Sequence, residues 1–213
     1  MELKVHNYSL SAITGILAVV IFIIFTFISV LYYPFQYNPL YDWLSNLGNI
    51  NLNPMGAIFF NWGTIISGIL LIPFFAGLYA WQPHKTWSKI LLILGILIGI
   101  FASISFIMVG IYPETNIHAH LLAASGVFSS LFIIIIFLSL ALFKNPKFVR
   151  MVAYFGLIPI IIDLIFQYTL SIYNNLLSVF NPAVAVPGLE WAAVFTSLAW
   201  VALLAINMLI KRV

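Results

Sequence analysis

The chain has 213 residues, of which 64% are hydrophobic and only 6% charged. A soluble domain carries about a quarter charged residues because water must hydrate its surface; a water-facing globule is therefore excluded, and lipid is the solvent for most of this surface. The formal charge of +3 does not point to nucleic acid, and the absence of cysteine excludes disulfides, thiolate-held metals and thiol nucleophiles.

Six apolar stretches reach the ~20-residue length that crosses a bilayer core, and they predict an all-α, six-helix transmembrane bundle in one domain over residues 1–213. The first, about Ser9–Tyr32, far exceeds the ~7–15-residue core of a cleaved signal peptide and is read as a retained helix. The loop that follows, Pro34–Pro54, is long and patterned: Leu40, Trp43, Leu44 and Leu47 keep the spacing of one helical face. Asn38 suits an N-cap, Pro39 the first helical position and Gly48 the exit. The loop is thus expected to hold a short amphipathic helix at the interface, with Asp42, Ser45, Asn46 and Asn49 on its other face.

The second stretch, about Met55–Trp81, carries Ala57, Asn61, Thr64 and Gly68 on one stripe, and the third, about Ile90–Tyr112, carries Gly95, Gly99 and Ser103. Small residues at this spacing let helix backbones approach closely. His118 and His120 mark the start of the fourth, about His120–Phe143. The fifth, about Val152–Tyr173, contains Asp163 with Gln167 and Ser171 further along the same face, and Pro159 before it, where a kink is expected. The sixth, about Gly188–Ile210, opens with Glu190.

Every Lys and Arg falls in one set of joints. Lys4 precedes the first stretch, Lys85 and Lys89 separate the second and third, Lys144, Lys147 and Arg150 separate the fourth and fifth, and Lys211 and Arg212 follow the sixth. Short loops rich in these residues stay in the cytoplasm. The expectation is therefore a multi-pass protein of the cell membrane with both termini cytoplasmic. Asp42, Glu114 and Glu190 then lie at the outer surface, and Asp163 lies within the membrane.

Four groupings of these residues carry chemistry. Asp163 occupies a place that disfavours an acid by ~2.5–3.5 kcal/mol on insertion scales; with Gln167 it reads either as a ligand-binding crevice or as an acid tying two helices together. His118, His120 and Glu114 offer two imidazoles and a carboxyl group to a divalent metal such as zinc, with a position left for water. That set requires His118 to stand outside the helix, because residues i and i+2 diverge by about 200° within one; the alternative is a polar helix cap. A hydrolase reading takes Ser45 as nucleophile, His120 as base and Asp42 as acid, although no nucleophile-elbow pattern is present. Asn46, Asn61 and Glu190 complete the ligand-binding candidates.

Asp42-Trp43-Leu44-Ser45-Asn46-Leu47-Gly48, then Asn53-Pro54, Asn61 and Gly68, and later Val109-Gly110-Ile111-Tyr112-Pro113-Glu114 followed by His118-Ala119-His120-Leu121-Leu122-Ala123-Ala124, form an ordered series. It resembles the outer loop, second helix and third-to-fourth helix junction of the uncharacterised prokaryotic membrane family called domain of unknown function 998. Many members carry an acid after the motif serine, where this chain has Asn46. The resemblance implies a six-span fold and a hot region at the outer end, with His120 rather than His118 as the matching histidine, and implies no activity.

Three functions follow as competing expectations. The first is an outer-facing polar pocket, built around Asp42, Ser45, Asn61, Glu114, His120 and Glu190, that binds or remodels a lipid or small amphiphile. The second is proton-linked transport using Asp163. The third is a non-catalytic subunit or assembly factor of a membrane complex. Expected partners are membrane lipids, with a second copy of the chain or another membrane subunit as further candidates.

Overall fold

A computed structural model of the chain describes residues 10–176 and 186–211. Its helices are α1 (Leu10–Leu31), α2 (Ala57–Gly77), α3 (Thr86–Ile111), α4 (Ile117–Leu142), α5 (Arg150–Phe155), α6 (Leu157–Leu176) and α7 (Val186–Ile210). Short 3₁₀ helices cover Leu44–Gly48, Leu78–Trp81 and Glu114–Asn116, and no strand occurs among the described residues. Six spans are long and apolar enough to cross a membrane, α5 and α6 together forming one of them.

The spans pack as a ring in chain order, α1 on α2, α2 on α3 and α3 on α4, closed by α6 on α7 and α7 on α1. The seam between α4 and α6 is the thinnest of these contacts. Small residues allow the close pairings. A Cβ on Gly68 would stand 2.8 Å from the Ser103 carbonyl oxygen, and one on Gly110 would stand 2.5 Å from that of Asn61. Only glycine lets α2 and α3 meet there. The ring encloses one apolar core in which Phe22 packs against Phe60 and Phe106, with ring centroids 5.9 and 5.2 Å apart. Outward-facing Leu and Ile on α1, α3, α4 and α6 remain exposed, as lipid-facing surface should.

Two boundaries differ from the sequence expectation. Between α1 and α2 the helix is only the five residues Leu44–Gly48. Asn38 accepts backbone N–H groups of Tyr41 and Asp42 on its own carbonyl, so residues 38–42 close as a turn and Leu40 stays outside the helix, 56% exposed. The fourth span starts at Ile117, three residues earlier than expected, which places both His118 and His120 inside α4. The fifth span is interrupted at Gly156 between α5 and α6, three residues before Pro159. Pro159 accounts for the position: its missing N–H is the one that would have bonded the carbonyl of Phe155.

The two ends of the bundle differ in charge. Lys85, Lys144, Lys147 and Lys211 gather at one end, where Asn145 Nδ2 bonds the Trp81 carbonyl at 3.0 Å and Asn207 Nδ2 bonds the Lys147 carbonyl at 3.0 Å. Asp42, Glu114 and Glu190 gather at the other. Lys4 and Arg212 lie outside the described residues.

Candidate functional site

The loop between α1 and α2 is held down by one buried side chain. Asn53, 0% exposed, donates Nδ2 to the Leu47 carbonyl, the Ser29 carbonyl and Ser29 Oγ at 3.1, 3.2 and 2.9 Å, and its Oδ1 accepts the Gly56 N–H at 3.1 Å. Asn61 adds a second tie, Nδ2 to the Gly48 carbonyl at 3.0 Å. With the loop pinned, Leu44 and Leu47 enter the core and Ser45 is turned inward, 8% exposed.

Four expected site residues then converge. Ser45 Oγ donates to Glu114 Oε1 at 2.5 Å, and Asn49 Nδ2 donates to Glu114 Oε2 at 3.4 Å. The Leu44 N–H donates to Glu190 Oε2 at 2.7 Å, joining the loop to the start of α7. His120 is buried and its Nδ1 lies 2.9 Å from the Tyr112 carbonyl. A carbonyl only accepts, so Nδ1 donates a proton to it.

These residues form the polar head of a groove of about 710 Å³ between α4 and α6. Its polar lining includes Ser45, Glu114, His120, Gln167, Ser171 and Glu190, and its apolar walls include Leu121, Ala124, Phe128, Phe166 and Leu170. Phe128 and Phe166 meet with ring centroids 4.7 Å apart. A small void of about 30 Å³ continues inward from Ser45, His120 and Glu190 toward Phe22 and Phe106.

The remaining expected residues go elsewhere. Asp42 turns its carboxyl group back on its own loop, accepting the Asn38 N–H at 2.7 Å, and does not line the groove. Ser45 is paired with Glu114 rather than with His120, so Ser45, His120 and Asp42 do not form a relay. Asn46 contributes its carbonyl to the Asn49 N–H, and Asn61 acts on Gly48; neither lines the groove. His118 is exposed on α4 while His120 is buried, the divergence that two helical residues two apart must show. Among the described residues no three His, Asp or Glu side chains group as metal ligands. Asp163 is fully buried behind the groove, with Oδ2 accepting Gln167 Nε2 at 2.9 Å and Oδ1 without a partner among the described residues.

Sequence reasoning passed over two aromatic residues that order this end. Tyr37 donates its hydroxyl to the Trp43 carbonyl at 2.7 Å, and Trp191 Nε1 donates to the Tyr37 oxygen at 3.1 Å and to the Asp42 carbonyl at 3.3 Å. Burial pushes the Tyr37 hydroxyl well above the ordinary phenol range; the Trp191 N–H opposes this, while Glu190 and Asp42 add to it. The hydroxyl therefore stays protonated and keeps donating. A Tyr in the loop and a Trp beside Glu190 at a helix start were the available signals, since such residues anchor interfaces.

Fold and groove together define a multi-pass, all-helical membrane protein with a polar-headed groove at its acidic end. The family model described as protein of unknown function (DUF998) matches residues 16–207, and the chain belongs to that family. No curated protein and no solved structure matches it.

Proposed function

We propose that the groove between α4 and α6 binds a lipid or small amphiphile at the outer face of the cell membrane, with the basic end and both termini in the cytoplasm. One observation carries the reading: the groove has a polar head of Ser45, Glu114, His120 and Glu190 and apolar walls of Leu121, Ala124, Phe128 and Leu170. Such a cavity matches a molecule with one wet end and one dry end. Two carboxyl groups and, among the described residues, no Lys or Arg line the groove, which favours a head group rich in hydroxyl or amine groups over a phosphate. Sidedness rests on the gathering of lysines at the opposite end.

The test uses the purified protein in phosphatidylcholine nanodiscs and two fluorescent probes with the same acyl chain, a monoacylglycerol and a lysophosphatidate. Wild type is expected to hold the monoacylglycerol more tightly. Ala124→Trp, which fills the groove from a half-buried position, should weaken that binding by at least about tenfold, roughly 1.4 kcal/mol. Unchanged binding in Ala124→Trp would exclude the groove.

A second reading, proton-linked transport, is favoured by the buried Asp163 with its unpartnered Oδ1. It expects Asp163→Asn to keep the fold and remove pH-driven solute flux in proteoliposomes; equal flux in both proteins would end it.

A further inference from the structure

The basic end holds a separate cleft of about 440 Å³ between the α2–α3 turn and the α4–α5 loop, lined in part by Trp81, Lys85, Ser88, Lys144, Asn145 and Lys147. No Asp or Glu among the described residues lines it. Three lysines on two different loops thus surround one cavity, and the Asn145 bond to the Trp81 carbonyl at 3.0 Å fixes those loops to each other. Like charges that a fold brings together without a counter-charge raise the potential inside the cavity.

One further feature acts in the same direction. Lys85 precedes α3, a 26-residue helix whose N-terminus has no side-chain cap. Its first-turn N–H groups and the positive end of its dipole therefore meet the cleft, where Ser88 lines the wall.

We propose that this cleft binds the phosphate group of an anionic membrane lipid. Phosphate supplies the negative charge and the acceptor oxygens that lysines and helix N–H groups require. The location selects a lipid as its carrier. Trp87 and Tyr79 beside the cleft are 50% and 48% exposed, as aromatic residues at head-group depth are. Ile90 and Leu140, 52% exposed on α3 and α4, continue the apolar surface along which acyl chains run. The cleft and the α4–α6 groove share no lining residue, so this inference stands apart from the proposed function.

Native mass spectrometry of the purified protein, titrated with phosphatidylglycerol and with phosphatidylcholine of the same chains, tests the proposal. Wild type is expected to prefer phosphatidylglycerol. Lys85→Gln with Lys144→Gln should weaken phosphatidylglycerol binding by roughly thirtyfold, about fivefold to sixfold for each lysine, and leave phosphatidylcholine binding and the melting temperature unchanged. Lys89→Gln with Arg150→Gln removes the same charge outside the cleft and should keep most of the preference. Equal loss in both double variants would mean diffuse attraction only and would overturn the site. Inorganic phosphate as competitor separates the two carriers: weak competition at millimolar concentration is expected, and displacement at the lipid's own affinity would overturn the assignment to a lipid. If the double variant purifies poorly, Lys144→Gln alone should lose about fivefold, and wild-type affinity in it would contradict the proposal.

Discussion

At the acidic end, Asn53 bonds α1, the α1–α2 loop and the approach to α2 from a fully buried position; at the basic end, Asn207, 3% exposed, accepts the Val149 N–H at 2.8 Å and donates to the Lys147 carbonyl at 3.0 Å. Both ends are closed by a buried amide that satisfies loop backbone groups. What each closure presents is different. One turns carboxyl groups and an imidazole into a groove, and the other turns lysines and an uncapped helix start into a cleft. In a bundle whose flanks face lipid, the loops are where polar recognition is built, and a single amide can fix which groups a loop presents.

The largest effect should come from breaking the acidic closure. Asn53→Ala leaves the Gly56 N–H without its acceptor and removes three donated bonds. A loss of about 3 kcal/mol is expected, read as a lower melting temperature in detergent together with loss of amphiphile binding. Asn207→Ala breaks the basic closure at about 2 kcal/mol. Melting should fall less than for Asn53→Ala, lipid binding at the lysine cleft should weaken, and groove binding should persist. If both variants lost both activities, the ends would not be separable units.

Tyr37→Phe is the milder probe. It removes the hydrogen bond to the Trp43 carbonyl and the one accepted from Trp191 Nε1, which keeps the Asp42 carbonyl as acceptor, and a cost of about 1–2 kcal/mol at neutral pH is expected. Burial raises the hydroxyl's pKa in the folded protein above the ordinary phenol value of about 10. A raised group contributes stability that is complete below the unfolded pKa and lost as pH climbs through the folded one. Wild type should therefore lose stability above about pH 10, and Tyr37→Phe should lose less over that range, as melting curves at graded alkaline pH would reveal.

The spans and the gathering of lysines at one end were legible because each rests on composition over many residues: apolar length and the placement of eight basic side chains. Ser45, Glu114, His120 and Glu190 were also legible, since polar residues are rare enough here to stand out. Their partners were not. Asp42 went to the Asn38 N–H because a carboxyl group four residues from a free backbone donor closes locally. His118 was separated from His120 because α4 begins at Ile117, so both lie on the helix, where residues two apart diverge by about 200°. The groove walls were invisible, because Leu121, Phe128 and Leu170 read like any lipid-facing or core residue. Asn207 passed unnoticed in the last span because its role depends on Lys147 and Val149, about 60 residues away.

The most direct measurement is an experimental density map of the protein in lipid nanodiscs. An elongated feature between α4 and α6, with its head beside Ser45, Glu114 and His120 and its tail along Leu121 and Phe128, is the expected result. A map with α6 drawn against α4 and no room between their side chains would contradict the account.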